Sequence, residues 1–205
     1  MGKKHQEGFT LIELLVLMMV FALTLGIGVP AFNGMVANAR MSAAANDLVS
    51  SLHAARAEAT TRNTSVTLCA STAGDAPLPA CDADAVLTDG WVVFVDTNSD
   101  GAISDDETLL QGHGALDDSI RSRERSGAEP GPPYYLSFRG DGFLQEIAGL
   151  GPPVRNVQLC DARGNQDTGN GRAAGRWITV SPAGHPALVD RVKRLQADGN
   201  PLGGC

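Results

Sequence analysis

The chain has 205 residues, 43% of them hydrophobic, with 24 Gly and 11 Pro, a composition that excludes collagen-like and wholly disordered classes. Its net charge of −7 means that bulk attraction to nucleic acid is not built into the molecule. Only 5% of residues are aromatic, so any core must be mostly aliphatic and alanine-rich.

Residues 1–8 are hydrophilic, and from Phe9 the chain turns apolar. No charged side chain occurs between Glu13 and Arg40, a gap of 26 residues, which is long enough to cross a bilayer as a helix. A secretory signal would have a shorter apolar stretch closed by small residues. Here the stretch runs past Phe32 without an Ala-x-Ala pattern. Lys3 and Lys4 favour a cytoplasmic N-terminus, a bias that Arg40 on the far side blurs. Glu13 is the anomaly, because a carboxylate at mid-bilayer costs roughly 2.5–3.5 kcal/mol. It must either snorkel to the headgroups or find a cationic partner.

Gly8-Phe9-Thr10-Leu11-Ile12-Glu13, followed by an apolar helix, resembles the prepilin cleavage motif of type IV pilins and type II secretion pseudopilins. The resemblance implies a leader cut between Gly8 and Phe9 by a membrane prepilin peptidase, with Phe9 becoming the N-methylated first residue. It also implies that Glu13 pairs with the N-terminal amine of a neighbouring subunit during filament assembly, which would offset the carboxylate's desolvation. Pro30 falls where pilins often carry a helix-kinking proline.

No Gly or Pro occurs from Met35 to Ala73, and Ala45, Leu48, Leu52, Ala55 and Ala59 recur at helical spacing. This predicts one helix from about Thr10 to about Arg62, interrupted or kinked near Gly26, Gly28 and Pro30. Beyond Asn63 the pattern changes to short strands separated by Gly, Pro and Asp. Candidates are Ser65–Ala70, Trp91–Val95, Tyr134–Phe138, Phe143–Ile147, Val157–Cys160 and Trp177–Val180. Arg139-Gly140-Asp141-Gly142 reads as a hairpin turn. Ser126–Pro133 and Asn165–Gly175 read as mobile loops. The fold class is therefore α+β, a long, partly transmembrane N-terminal helix packed on an antiparallel β-sheet.

The order helix, Val66-Thr67-Leu68-Cys69, loop to Cys81, then Gly90 to Asp96, an Asp/Asn/Gly loop and Leu109-Leu110 is similar to the GspH/FimT/FimU group of minor pilins. Val157–Asp161 and Arg176–Gly184 resemble that group's closing strands. The resemblance implies a pilin fold with a leader at 1–8, a transmembrane and assembly helix at 9–33, and a periplasmic head at 34–205, of which 34–62 is amphipathic helix. It implies a structural subunit of the type IV pilus that helps initiate assembly. The alternatives are a type II secretion minor pseudopilin and a DNA-capturing competence pilin. Implied partners are the prepilin peptidase, other minor and major pilins and the inner-membrane assembly platform.

Four cysteines on the presumed periplasmic side point to disulfides. Three pairings are possible, of which Cys69–Cys81 and Cys160–Cys205 are favoured. Zinc is the rival reading, but no closely spaced cysteine pair exists. Asp96 to Glu107 fits the D-x-[DN]-x-[DN]-G-x₅-E calcium loop, with Asp96, Asn98, Asp100, the Ala102 carbonyl and Glu107 as ligands. From Asp75 to Asp118 there are 11 acidic residues and no Lys or Arg. The loop follows a strand rather than a helix, so a solvated Asx-turn connection competes with calcium.

Residues 151–205 hold seven basic and four acidic residues, which normally means a solvated face. The competence branch resembled here is thought to capture DNA with a G-R-x-R tail. This chain has Gly184-His185-Pro186-Ala187 at that position, and Gly171-Arg172 and Gly175-Arg176 are weak substitutes, so a nucleic-acid partner is not expected. No nucleophile elbow or phosphate loop accompanies His5, His53, His113 or His185. An enzyme is not expected either.

Overall fold

The computed structural model describes residues 9–126 and 134–205. The chain divides into two compact units, Met1–Ala39 and Arg40–Cys205. Helix α1, Leu11–Arg62, runs through Gly26, Gly28 and Pro30 without interruption. Of the interruption or kink expected there, the interruption is absent. Proline removes one backbone donor, and the helix assignment continues past it.

In the first unit the helix stands alone, and its large apolar side chains from Leu11 to Met35 are all exposed. In the second unit it buries Met41, Ala44, Ala45, Leu48, Ser51, Leu52, Ala55 and Ala59, which includes the whole stripe legible in the sequence. Small alanines let the sheets approach the helix closely, and the leucines fill the remaining space.

The strands are β1 Val66–Ala70, β2 Trp91–Val95, β3 Leu109–His113, β4 Arg121–Ser126, β5 Tyr135–Phe138, β6 Leu144–Gln145, β7 Val154–Cys160, β8 Arg172–Val180 and β9 Pro186–Arg191, followed by a short helix α2, Val192–Leu195. They form two antiparallel sheets rather than the single sheet expected. The order is β3-β2-β1-β5-β6 in one and β4-β7-β8-β9 in the other. Both sheets contribute to one core with the helix, through Val66, Leu68, Trp91, Val93, Leu136 and Phe138 from the first and Val157, Leu159, Ile178 and Val180 from the second.

β1, β2 and β5 are buried along their whole length because the first sheet is covered on both faces. Its far face carries a smaller core of Cys69, Val92, Phe94, Tyr135 and Ile147, with Ile103 and Leu150 laid over it. That explains why β2 reads as an unbroken apolar run, and why β1 and β5 are broken only by the small Thr67 and Ser137.

β4 and β9 are corrections to the sequence reading. β4 is Arg-Ser-Arg-Glu-Arg-Ser, an edge strand with no apolar residue to betray it. β9 opens on a proline, which an edge strand tolerates. The Gly-rich stretch 165–175 also contains the start of β8, where Ala173 and Ala174 are fully buried. The strand expected over Phe143–Ile147 shrinks to Leu144–Gln145, leaving Phe143 half-exposed. The expected loop Ser126–Pro133 begins on the last residue of β4, and 127–133 lie outside the described residues.

Candidate functional site: the apolar helix, the disulfides and the acidic loop

The first turn of α1 is built by Thr10. Its hydroxyl accepts from the Glu13 N–H at 3.3 Å, and its carbonyl accepts from the Leu14 N–H at 3.2 Å. Thr10-x-x-Glu13 is thus the helix N-cap with a glutamate at the third helical position, where a carboxylate also meets the positive end of the helix dipole. This local role was missed, although the S/T-x-x-E signature was visible. Phe9 is 78% exposed ahead of the cap, and Gly8 lies outside the described residues. Further along, the Thr24 hydroxyl donates to the carbonyls of Val20 and Phe21, both at 2.9 Å, so that hydroxyl finds its partners within the helix. The helix contains a span apolar enough to cross a membrane by length and composition, with mean hydropathy 2.4 and none of it buried.

In the second unit Cys69 is bonded to Cys81 and Cys160 to Cys205, each pair with Cα atoms 5.6 Å apart. The first closes the loop after β1. The second fastens the last residue to β7, where a Cβ on Gly175 would stand 2.6 Å from the Cys205 sulfur. Only glycine admits the staple at that point of β8. Asn200, 4% exposed, supports the same tail by donating to the Gln158 side chain at 3.1 Å and the Leu195 carbonyl at 2.8 Å.

The 96–107 loop is closed by its own donors. Asp96 is fully buried and accepts from the Thr67 hydroxyl at 2.7 Å, the Asp100 N–H at 3.1 Å and the Gly101 N–H at 3.2 Å. Burial pushes its carboxyl above the usual carboxylate range and the Glu107 charge adds to this, while those donors pull the other way. Glu107 accepts from the Thr97 N–H at 2.8 Å and the Ser104 N–H at 3.2 Å, and Asp100 accepts from the Ala102 N–H at 2.9 Å. Gly101 has φ +77°, as the sharp turn requires. The carboxylates therefore accept mainly from backbone amides, in an Asx-type turn. Among the described residues no three His, Cys, Asp or Glu side chains are gathered to hold a metal ion.

The remaining candidates are dispersed. Arg176 is 3% exposed and turned inward, donating to the carbonyls of Ala173, Ala174 and Gly175 and to the Ser42 hydroxyl at 3.2 Å. Arg172 is paired with Asp190 at 2.8 Å. Neither substitute arginine stands free on the surface. Arg139 is ion-paired with Asp141 inside its own turn. His113 stacks on Trp91 at 3.9 Å, His185 lies against Arg56, His53 is exposed on the helix, and His5 is outside the described residues.

The family described as type II transport protein GspH matches residues 44–200, and the prokaryotic N-terminal methylation motif matches residues 3–29. The chain belongs to the GspH family. Family and motif together make this GspH-family chain a pilin-type structural subunit, of a type IV pilus or a type II secretion system. Comparison with curated protein sequences finds no match. Among solved structures the chain is similar to the type IV minor pilin FimU of Pseudomonas aeruginosa, at 20% identity over 73% of this chain and 87% of that one, with a TM-score of 0.48. It is also similar to the minor pseudopilin EpsH of the Vibrio cholerae type 2 secretion system, at 13% identity over 74% and 97%, with a TM-score of 0.46. At those scores neither likeness separates a pilus subunit from a secretion subunit.

Proposed function

We propose that the chain is a minor pilin that is held in the inner membrane until it joins a type IV pilus, where it helps initiate assembly, with its head in the periplasm. The observation that carries this reading is the apolar helix with a single carboxylate, Glu13, in its first turn. Every large side chain of that helix from Leu11 to Met35 needs a non-aqueous surrounding, first lipid and then neighbouring subunits. The prepilin peptidase would cut between Gly8 and Phe9. Glu13 would then receive the methylated amine of an adjacent subunit, a cation for a carboxylate that lipid cannot solvate. The remaining partners are other minor and major pilins and the inner-membrane platform. No catalytic role is proposed: in the head His113 stacks on Trp91 and His185 lies against Arg56.

A type II secretion pseudopilus is the second reading, favoured by the family's description as a type II transport protein. Calcium in the 96–107 loop is a separate proposal. It rests on the sequence pattern alone.

Mass spectrometry of the membrane-extracted protein tests the main reading, with a chain starting at methylated Phe9 as the expected result. An intact leader in peptidase-competent cells would sink it. Glu13→Ala should insert normally yet fail to enter filaments; normal entry would show that the carboxylate only meets the positive end of the helix dipole.

A further inference from the structure

Among the described residues the two sheets end on four strands, β3 and β6 in the first and β4 and β9 in the second. An end strand leaves one row of backbone N–H and C=O groups facing away from its sheet. Three of the four are blunted: β6 has two residues, β9 opens on Pro186, and β3 bulges against β2 between Val93 and Phe94. β4 keeps its register against β7 from Arg121 to Arg125. In an antiparallel ladder the N–H and C=O of one residue point to the same side, and that side alternates along the strand. β7 therefore takes every second residue of β4, and the residues between aim their backbone groups at the open edge.

That edge lies in a trough. Two hollows of about 440 Å³ and 330 Å³ share Ser122 and Arg123 and together follow β4 from Arg121 to Glu124. Cys160 and Cys205 wall the larger one, and Val86 and Tyr134, with Pro201 and Leu202, wall the smaller. The two faces of the strand differ in charge. Arg121 and Arg123 share one face and are exposed, and among the described residues neither is in an ion pair. Arg123 donates to the Gly204 carbonyl at 3.4 Å. Asp161 in the same hollow is taken by Arg163, which leaves Asp118 as the other acid lining it. On the opposite face Glu124 is buried and accepts from the Leu87 N–H at 3.1 Å, and the Ser122 and Thr88 hydroxyls share a hydrogen bond at 3.3 Å.

A charged edge selects by sign. β4 paired with β4 of a second copy would set arginine beside arginine, which disfavours the pair, whereas a strand with Asp or Glu at alternate positions meets both guanidiniums. On the Glu124 face an added acid would be repelled, and the wall of Val86, Tyr134 and Leu202 suits a small apolar side chain. We infer that β4 accepts an extended segment of another protein as an added strand, with acidic side chains opposite Arg121 and Arg123 and small apolar ones between them. Backbone hydrogen bonds supply the affinity, and the arginines select the partner. The inference goes beyond anchoring and assembly and does not rest on them.

The test uses full-length chain in detergent and a labelled alternating Asp-Val peptide of β4's length, with binding read by fluorescence anisotropy. The Asp-Val peptide should bind roughly tenfold or more tighter than a Lys-Val peptide. Arg121→Glu combined with Arg123→Glu should melt as the wild type does, because both side chains are exposed, and should invert that order. Two further Asp-Val peptides carry N-methyl groups, one on every Asp and the other on every Val. One of them should lose binding and the other keep it, because a strand shows its neighbour every second amide. If the Asp-Val peptide does not bind, the trough has no such occupant. If both methylated peptides bind as their parent does, the arginines attract charge without adding a strand. Either result overturns the inference.

Discussion

Residues 11–39 and 40–62 belong to one helix and share its hydrogen bonding, yet their side chains meet opposite surroundings. From Leu11 to Met35 every Leu, Ile, Val, Met and Phe is 48–81% exposed, whereas Met41, Ala45, Leu48, Leu52, Ala55 and Ala59 are at most 1% exposed. The difference lies in the side-chain pattern. The second segment confines apolar residues to one stripe and puts Asn46, Asp47, Ser50 and His53 on the other side, so water and a core can each take a face. The first segment is apolar all round, a pattern that belongs to a membrane span or to a protein interior. One helix is thus addressed to two solvents.

Truncation breaks this comparison most directly. Leu48→Ala, which empties space in a core that spans both sheets, should cost about 2–5 kcal/mol of head stability. Leu17→Ala, on a side chain 56% exposed, should leave the head's unfolding midpoint unmoved. Urea unfolding of both full-length variants in detergent checks this. A comparable loss from Leu17→Ala would mean that the first segment is part of the head's cooperative unit.

How much of this was legible follows from the same patterns. The helix stripe, the apolar strands β1, β2 and β5 and the membrane-length run all announce themselves through periodicity or composition. β4 did not, because its arginines alternate with Ser122, Ser126 and Glu124, and nothing in Arg-Ser-Arg-Glu-Arg-Ser signals an inward face. The closing strands were truncated where Arg172–Gly175 looked like the end of a Gly-rich loop, since a glycine under a disulfide is indistinguishable from one in a turn. The calcium pattern at Asp96–Glu107 was legible as a string, but string matching could not tell a cation's ligands from acceptors for the loop's own amides. What the structure adds is that Asp96 is buried and accepts from the loop's own amides.

The acids sharpen the contrast. Glu13 sits in a helix that offers donors only at its N-terminus, whereas Asp96 is buried in a head that supplies three hydrogen bonds to it. Asp96→Ala in the presence of chelator should destabilise the head by roughly 1–3 kcal/mol, the range for leaving buried donors unmatched. Thermal melting measures this, and a variant that melts like the wild type would remove the loop's structural role. Repeating both melts with calcium addresses the cation proposal separately. That proposal requires a calcium-dependent rise in the wild type which Asp96→Ala abolishes.

The smallest expected effect concerns Glu124, the inward-facing acid of β4, which is 5% exposed. Burial pushes its carboxyl above the usual range and the Asp89 charge adds to this, against the Ser122 hydroxyl and the Leu87 N–H, which donates at 3.1 Å. A carboxyl raised in the folded state binds its proton more readily there than in the unfolded chain. Its contribution to stability is therefore fully present below the unfolded value and is lost as pH rises through the folded one. Glu124→Gln keeps an acceptor for Leu87 and removes the charge. The variant's stability relative to the wild type should accordingly rise from pH 4 to pH 8, with the two closest together at the acidic end. Two donors already offset part of the burial, so the gap should stay small. Urea midpoints of both proteins at the two pH values measure it. A gap that narrows with rising pH would mean that the ionised form is the one the fold favours, and that this head, unlike the apolar segment of its own helix, solvates a buried charge completely.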